Sequence, residues 1–79
     1  MWNWELELTP HVEKRMEDRE FTEVDLRSML ARASALHVDT APERFIVECS
    51  FRKRPWRVIV EPDPDDRRLI VITVYSIEE

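Results

Sequence analysis

The chain contains no glycine. That excludes every Gly-rich phosphate loop, and with it the P-loop and dinucleotide-binding fingerprints. Turns are then expected to rely on Pro, Asp and Ser, with no position demanding a backbone conformation that only Gly tolerates. Cysteine is nearly absent as well. Cys49 stands alone, so it forms no internal disulfide, and its place in an apolar strand pattern is that of a buried structural thiol. His11 and His37 have no companions at ligand spacing, so no metal site is expected, and no cofactor is implied. No apolar run is long enough to span a membrane. The opening MWNWELEL lacks the basic start and apolar stretch of a leader, so cytoplasmic residence is the expectation. Lysine is confined to Lys14 and Lys53, and the formal net charge of -5 speaks against binding nucleic acid through bulk positive charge.

What is present fits one small domain over residues 1–79. The hydrophobic fraction of 43% is ordinary, but a chain of 79 residues has only a modest core. Three Trp and three Phe offset part of that deficit, because each large ring buries much surface. A marginal core and a Trp-rich start also make a homodimer reasonable. Charge is unevenly spread. Between Arg44 and Arg57 lie Arg44, Arg52, Lys53, Arg54 and Arg57, opposed only by Glu48, while acids gather around Glu61–Asp66 and at the C-terminus. A basic surface can therefore exist on an acidic molecule.

Residues 2–8 alternate, with Trp2, Trp4, Leu6 and Leu8 on one side, as in a short edge strand that turns two Trp to the core. Thr9-Pro10 reads as an N-cap and first helical residue, opening a helix that runs to about Asp18 or Arg19. Thr22 caps a second helix, with Asp25 at the capping-box position and Phe21 stapling against Leu26. Val24, Met29, Leu30 and Ala33 are expected on its buried face, and its end near Ala33 to Ala35. Leu36–Asp39 reads as a short strand or an extended linker. Arg44–Phe51, Trp56–Glu61 and Arg68–Ser76 read as strands, with a turn over Glu61–Asp66. The expected fold is α+β: two N-terminal helices packed on a curved antiparallel sheet of three to four strands.

The first helix carries the most informative pattern. His11, Arg15 and Arg19 recur every four residues and so share one face, beside apolar Val12 and Met16. Guanidinium forks grip oxyanions bidentately and an imidazole can transfer a proton, so the stripe suits phosphate chemistry. The same residues serve equally as solvated cations paired with neighbouring acids.

From Thr9 to Arg19, H-x-x-x-R-M-x-x-R is followed by the capped start at Phe21–Leu26. Together with Arg54-Pro55-Trp56-Arg57-Val58-Ile59-Val60 and Ile70–Tyr75, these motifs resemble a small bacterial family, domain of unknown function 4258. That family usually has Gly after the last helix Arg, where this chain has Glu20. Its pattern is similar to the RelE/ParE toxin superfamily, including BrnT-like and HigB-like toxins, many of which cleave mRNA and are restrained by an antitoxin. The resemblance implies a RelE-like scaffold, a metal-independent endoribonuclease, and RNA or the ribosome and an antitoxin as partners. Such chemistry needs a base for the ribose 2′-hydroxyl, a cation for the phosphorane and an acid for the leaving oxygen. On that footing the catalytic candidates are His11, Arg15, Arg57 and Tyr75, with Arg19, Arg44 and Thr73 contacting substrate. Arg57 falls either under the helices or on the open face, and a structural salt bridge to Glu48 would satisfy it equally well. A non-catalytic module of the same fold that binds a protein partner, through an exposed edge strand or the aromatic N-terminus, is the competing expectation.

Overall fold

The structure, a computed structural model, describes residues 3–40 and 43–77. The element order is β1 (Glu5–Leu8), α1 (Pro10–Asp18), α2 (Glu23–Ala31), β2 (Ala35–Val38), β3 (Phe45–Phe51), β4 (Arg54–Asp63) and β5 (Arg68–Ser76). The strands form one sheet in the order β1-β5-β4-β3-β2. The α+β class holds, but the sheet has five strands and is mixed. β1 pairs parallel to β5, with Leu8 beside Val71, because the chain leaves β1 directly into α1 rather than through a hairpin. The expected core position of Trp2 lies outside the described residues. Trp4 precedes β1 and is half-buried, and Leu6 carries that strand's contact with the core.

Both helices cover one face. Thr9 caps α1, accepting a hydrogen bond from the Val12 amide, with Pro10 at the first helical position. Val12 and Met16 enter the core from this helix, and Leu26, Met29 and Leu30 from α2. They meet Val47, Cys49, Trp56, Val58, Val60, Leu69, Val71 and Val74 of the sheet. The capping box at Thr22 and Asp25 forms as expected. Val24, however, is 77% exposed. At 100° per residue it points about 160° away from Leu26, so the helical spacing itself sends it to solvent. α2 also stops at Ala31, short of the expected end, because Ser34 and Ala35 already join β3.

Two turns depart from expectation. β4 continues through Pro62 and Asp63, and the reversal falls at residues 64–67. Pro62 is tolerated because β3 pairing begins at Val60, leaving that edge of β4 unpaired. The second departure concerns glycine. Glu20, Glu43, Arg52, Lys53 and Arg67 all adopt positive φ, between 52° and 70°. Lack of glycine has not removed the left-handed turns; it has placed residues with a Cβ in them.

One irregularity in β5 matters for everything that follows. Ile59 of β4 faces Thr73, whereas Val60 faces Val71, so Ile72 is an extra, bulged residue. Leu69 and Val71 point to the helix side before the bulge, and Val74 and Ser76 after it. Thr73 and Tyr75 are thereby turned to the opposite, helix-free face. The Thr9 hydroxyl donates to the carbonyl of Ile72, tying the bulge to the start of α1.

Candidate active site on the open face of the sheet

Strand alternation sorts the polar residues. On β4, Trp56 and Val58 are core, so Arg57 and Ile59 face the open side. Ile59 is only 8% exposed yet lies outside the helix-side core, so its neighbours on the open face cover it. Register then places Glu48, Arg57 and Tyr75 on one cross-strand row, and Ile46, Ile59 and Thr73 on the next. The open alternative for Arg57 is settled: it is not beneath the helices.

His11 joins this face from the side. β1 ends at Leu8, and α1 continues along the outer edge of β5 where no strand pairs with it. His11 Nε2 lies 3.0 Å from Thr73 Oγ1. Which partner donates depends on the imidazole tautomer. The stripe then runs on beside β5. Arg15 is half-buried, one turn further, and among the described residues its side chain has no hydrogen-bonded or ionic partner. Arg19 is the C-cap residue, about 12 Å beyond His11 along the helix axis. It lines a cleft near Ser76 at the end of β5. The stripe is therefore a rail along the edge of β5, not a single grip.

Electrostatically the centre of the row is Glu48. Its Oε1 lies 3.9 Å from Arg57 Nη2, and its Oε2 meets the His37 ring. The Arg57 ion pair foreseen as an alternative is thus present, but long. The Arg57 Nε is buried and, among the described residues, has no hydrogen-bond acceptor. A buried N–H without an acceptor is costly, so this guanidinium is held by packing and by the long Glu48 contact instead of by a full set of hydrogen bonds. Glu48 was foreseen only as a partner for Arg57, whereas His37, which reaches Glu48 from the neighbouring row opposite Ile46, was missed by sequence reasoning. The alternation of β3 already put Glu48 opposite Val47 and Cys49, but which strands stood beside it could not be read from spacing.

Other candidates fall elsewhere. Arg44 precedes β3 and pairs with Glu61 at 3.1 Å, about 13 Å along β4 from Arg57. It borders the larger cavity, of about 540 Å³, lined by Glu43, Glu61, Asp63 and Asp65 around Phe45 and Pro64. That acidic end is remote from the His11 group. Cys49 is buried, and burial pushes its thiol up to about 11, so it is no nucleophile near neutral pH. Among the described residues no group of three or more His, Cys, Asp or Glu is placed to hold a metal ion. No helix is long and apolar enough to cross a membrane.

The motifs that build this face extend over nearly the whole chain, and so does the match to a known family, described as a domain of unknown function (DUF4258), over residues 8–76. The chain belongs to the DUF4258 family. No curated protein and no solved structure matches it. The matched segment opens at Leu8, where β1 hands over to α1, and closes at Ser76, the last residue of β5. For this DUF4258 chain it thus takes in His11, Arg15, Arg57, Thr73 and Tyr75 together.

Proposed function

We propose that this protein is a toxin-like, metal-independent endoribonuclease with a RelE-like scaffold, and that its site is the open-face group of His11, Arg15, Arg57, Thr73 and Tyr75. The observation that carries the reading is the His11–Thr73 contact, which joins the start of α1 to the same sheet face as Tyr75 and Arg57. In this mechanism a phosphodiester lies over the row. His11, oriented by Thr73, takes the ribose 2′-hydroxyl proton or returns one to the leaving oxygen. The partly exposed guanidinium of Arg57 and that of Arg15 stabilise charge on the phosphorane. Tyr75, opposite Arg57, orients the phosphate or donates a proton. The first turn of α1 adds the positive end of a helix beside His11.

The test is induced expression of wild type, His11→Ala and Arg57→Ala, with RNA integrity followed with and without ribosomes. Growth arrest and RNA cleavage are expected for wild type and loss of both for the variants. A harmless wild type with intact RNA under both conditions overturns the nuclease.

A second reading, a non-catalytic module that binds an antitoxin-like protein, is favoured by one feature. β2 is an edge strand without Lys, Arg, Asp or Glu, and it exposes Leu36 (49%) and Val38 (74%). An extended partner segment can add to such an edge through main-chain hydrogen bonds. Val38→Lys would abolish that capture while leaving RNA cleavage unchanged.

A further inference from the structure

The stripe that begins at His11 ends in a second constellation, on the other side of the sheet. The β3–β4 hairpin turns on Arg52 and Lys53, both at positive φ (52° and 64°), and delivers Arg54 at its far side. Arg52 folds back over α1. Its Nη1 donates to the Arg19 carbonyl at 3.2 Å and its Nη2 to the Glu20 carbonyl at 2.7 Å. The guanidinium carbon also sits 4.7 Å from the centroid of Phe51. These bonds neutralise the negative end of the α1 dipole, which would otherwise repel an anion here.

What remains is a cleft of about 290 Å³ lined by Arg19, Phe51, Arg52, Arg54, Trp56 and Ser76. On a chain of net charge -5, three of its six lining residues are arginines. Arg54 is exposed and, among the described residues, has no hydrogen-bonded or ionic partner. The wall is aromatic: Phe51 and Trp56 lie edge-on, with centroids 6.0 Å apart. Trp56 is 5% exposed, and its Nε1–H has no acceptor among the described residues. A cationic rim beside the partly buried ring of Phe51, with the buried indole of Trp56 behind it, matches a phosphate with its attached nucleoside. The position fits as well. Trp56 and Ser76 form the rung next to Arg57 and Tyr75, so a strand leaving the open face has only to round this end of the sheet to meet the cleft on the helix side.

We propose that this cleft is a subsite for the phosphodiester of single-stranded RNA, with Arg54 on the phosphate and the Phe51 ring, backed by Trp56, against the nucleoside. It rests on the nucleic-acid reading of the open face and extends it by one contact.

The test uses a short 2′-O-methyl oligouridylate, which cannot be cleaved, so binding is read whether or not the chain is a nuclease. The Trp56 indole N–H resonance, identified by its absence in Trp56→Phe, shifts on titration with the oligonucleotide and not with inorganic phosphate at equal concentration. Arg54→Glu weakens binding about tenfold. Arg68→Gln, which removes a cation paired with Glu7 on the far side of the sheet, leaves binding unchanged. Equal response to inorganic phosphate assigns the cleft to the free ion and overturns the proposal. Equal effects of Arg54→Glu and Arg68→Gln also overturn it. A chain that cleaves RNA while the Trp56 signal stays still refutes the cleft and leaves the nuclease standing.

Discussion

Glu20 ends α1 in a conformation that suits another residue. The Phe21 amide donates to the Met16 carbonyl at 3.0 Å and the Glu20 amide to that of Glu17 at 3.2 Å, the two bonds of a Schellman motif with Glu20 at its left-handed position. A side chain with a Cβ costs about 1–2 kcal/mol there. Glycine removes that strain but gives back part of it through a freer unfolded chain. Glu20→Gly should therefore raise unfolding stability by about 0.5–1 kcal/mol, read as a higher urea midpoint with an unchanged slope. Arg52→Gly relieves similar strain yet removes the two bonds onto α1, so it should not stabilise. At Cys49 the governing quantity is the proton. Its folded pKa of about 11 lies above the ordinary 9.0 because burial disfavours the thiolate. Above pH 9 the unfolded chain releases this proton while the folded chain keeps it. The stabilisation is thus whole below pH 9 and is lost as pH rises toward 11. Wild type should lose more of its urea midpoint across that window than Cys49→Val, which has no thiol to ionise.

The link between β1, α1 and β5 depends on Thr9. Its hydroxyl accepts from the Val12 amide and donates to the Ile72 carbonyl, both at 3.3 Å, so one side chain caps the helix and ties down the bulge. Thr9→Val keeps the shape and removes both bonds. The expected loss is about 1–2 kcal/mol of stability, with Thr9→Ser close to wild type. If the bulge loosens, His11 and Thr73 also separate, so Thr9→Val should reduce the proposed RNA cleavage under conditions where it remains folded. These elements show what the sequence made readable and what it did not. Both N-caps, the capping box, the inward face of β3 and the shared side of Thr73 and Tyr75 follow from local spacing, because helix and strand periods act over a few residues. The parallel β1–β5 pairing, the Ile72 bulge and the Glu48–His37 contact depend on which strands become neighbours. An apolar run such as Leu69–Val74 carries no mark of where it breaks register. Arg19 was read with His11 from the helical face alone; the rise along α1 separates them.

On the scale of the whole molecule the sheet sets the axis along which charge is arranged. The longest extent is 34 Å, close to the length of the ten-residue β4 at about 3.3 Å per residue. The radius of gyration of 11.7 Å is that of a compact chain of this size. β4 begins at Arg54, beside Arg19, Arg52 and Lys53, and ends at Asp63, beside Glu61, Asp65 and Glu43. Within the net charge of -5, the cluster of cations at the start of β4 is thus held apart by that strand from the acids around its end, where Arg44 and Arg68 offset part of the charge. At physiological salt, exposed charges are screened beyond about 8 Å, far less than the length of β4. The acids around Asp63 should therefore not repel RNA from Arg54 or Arg57, and net charge should be a poor guide to affinity. Asp63→Asn with Asp65→Asn takes the net charge from -5 to -3 (-5 + 2), yet should change oligonucleotide affinity less than twofold at 0.15 M salt. Lowering the salt to about 0.01 M extends the screening length to about 30 Å, and there the double variant should bind measurably tighter than wild type. If the two neutralisations raise affinity as strongly at 0.15 M as at low salt, the ends are not electrically independent, and bulk acidity, not the local cations, governs what this face admits.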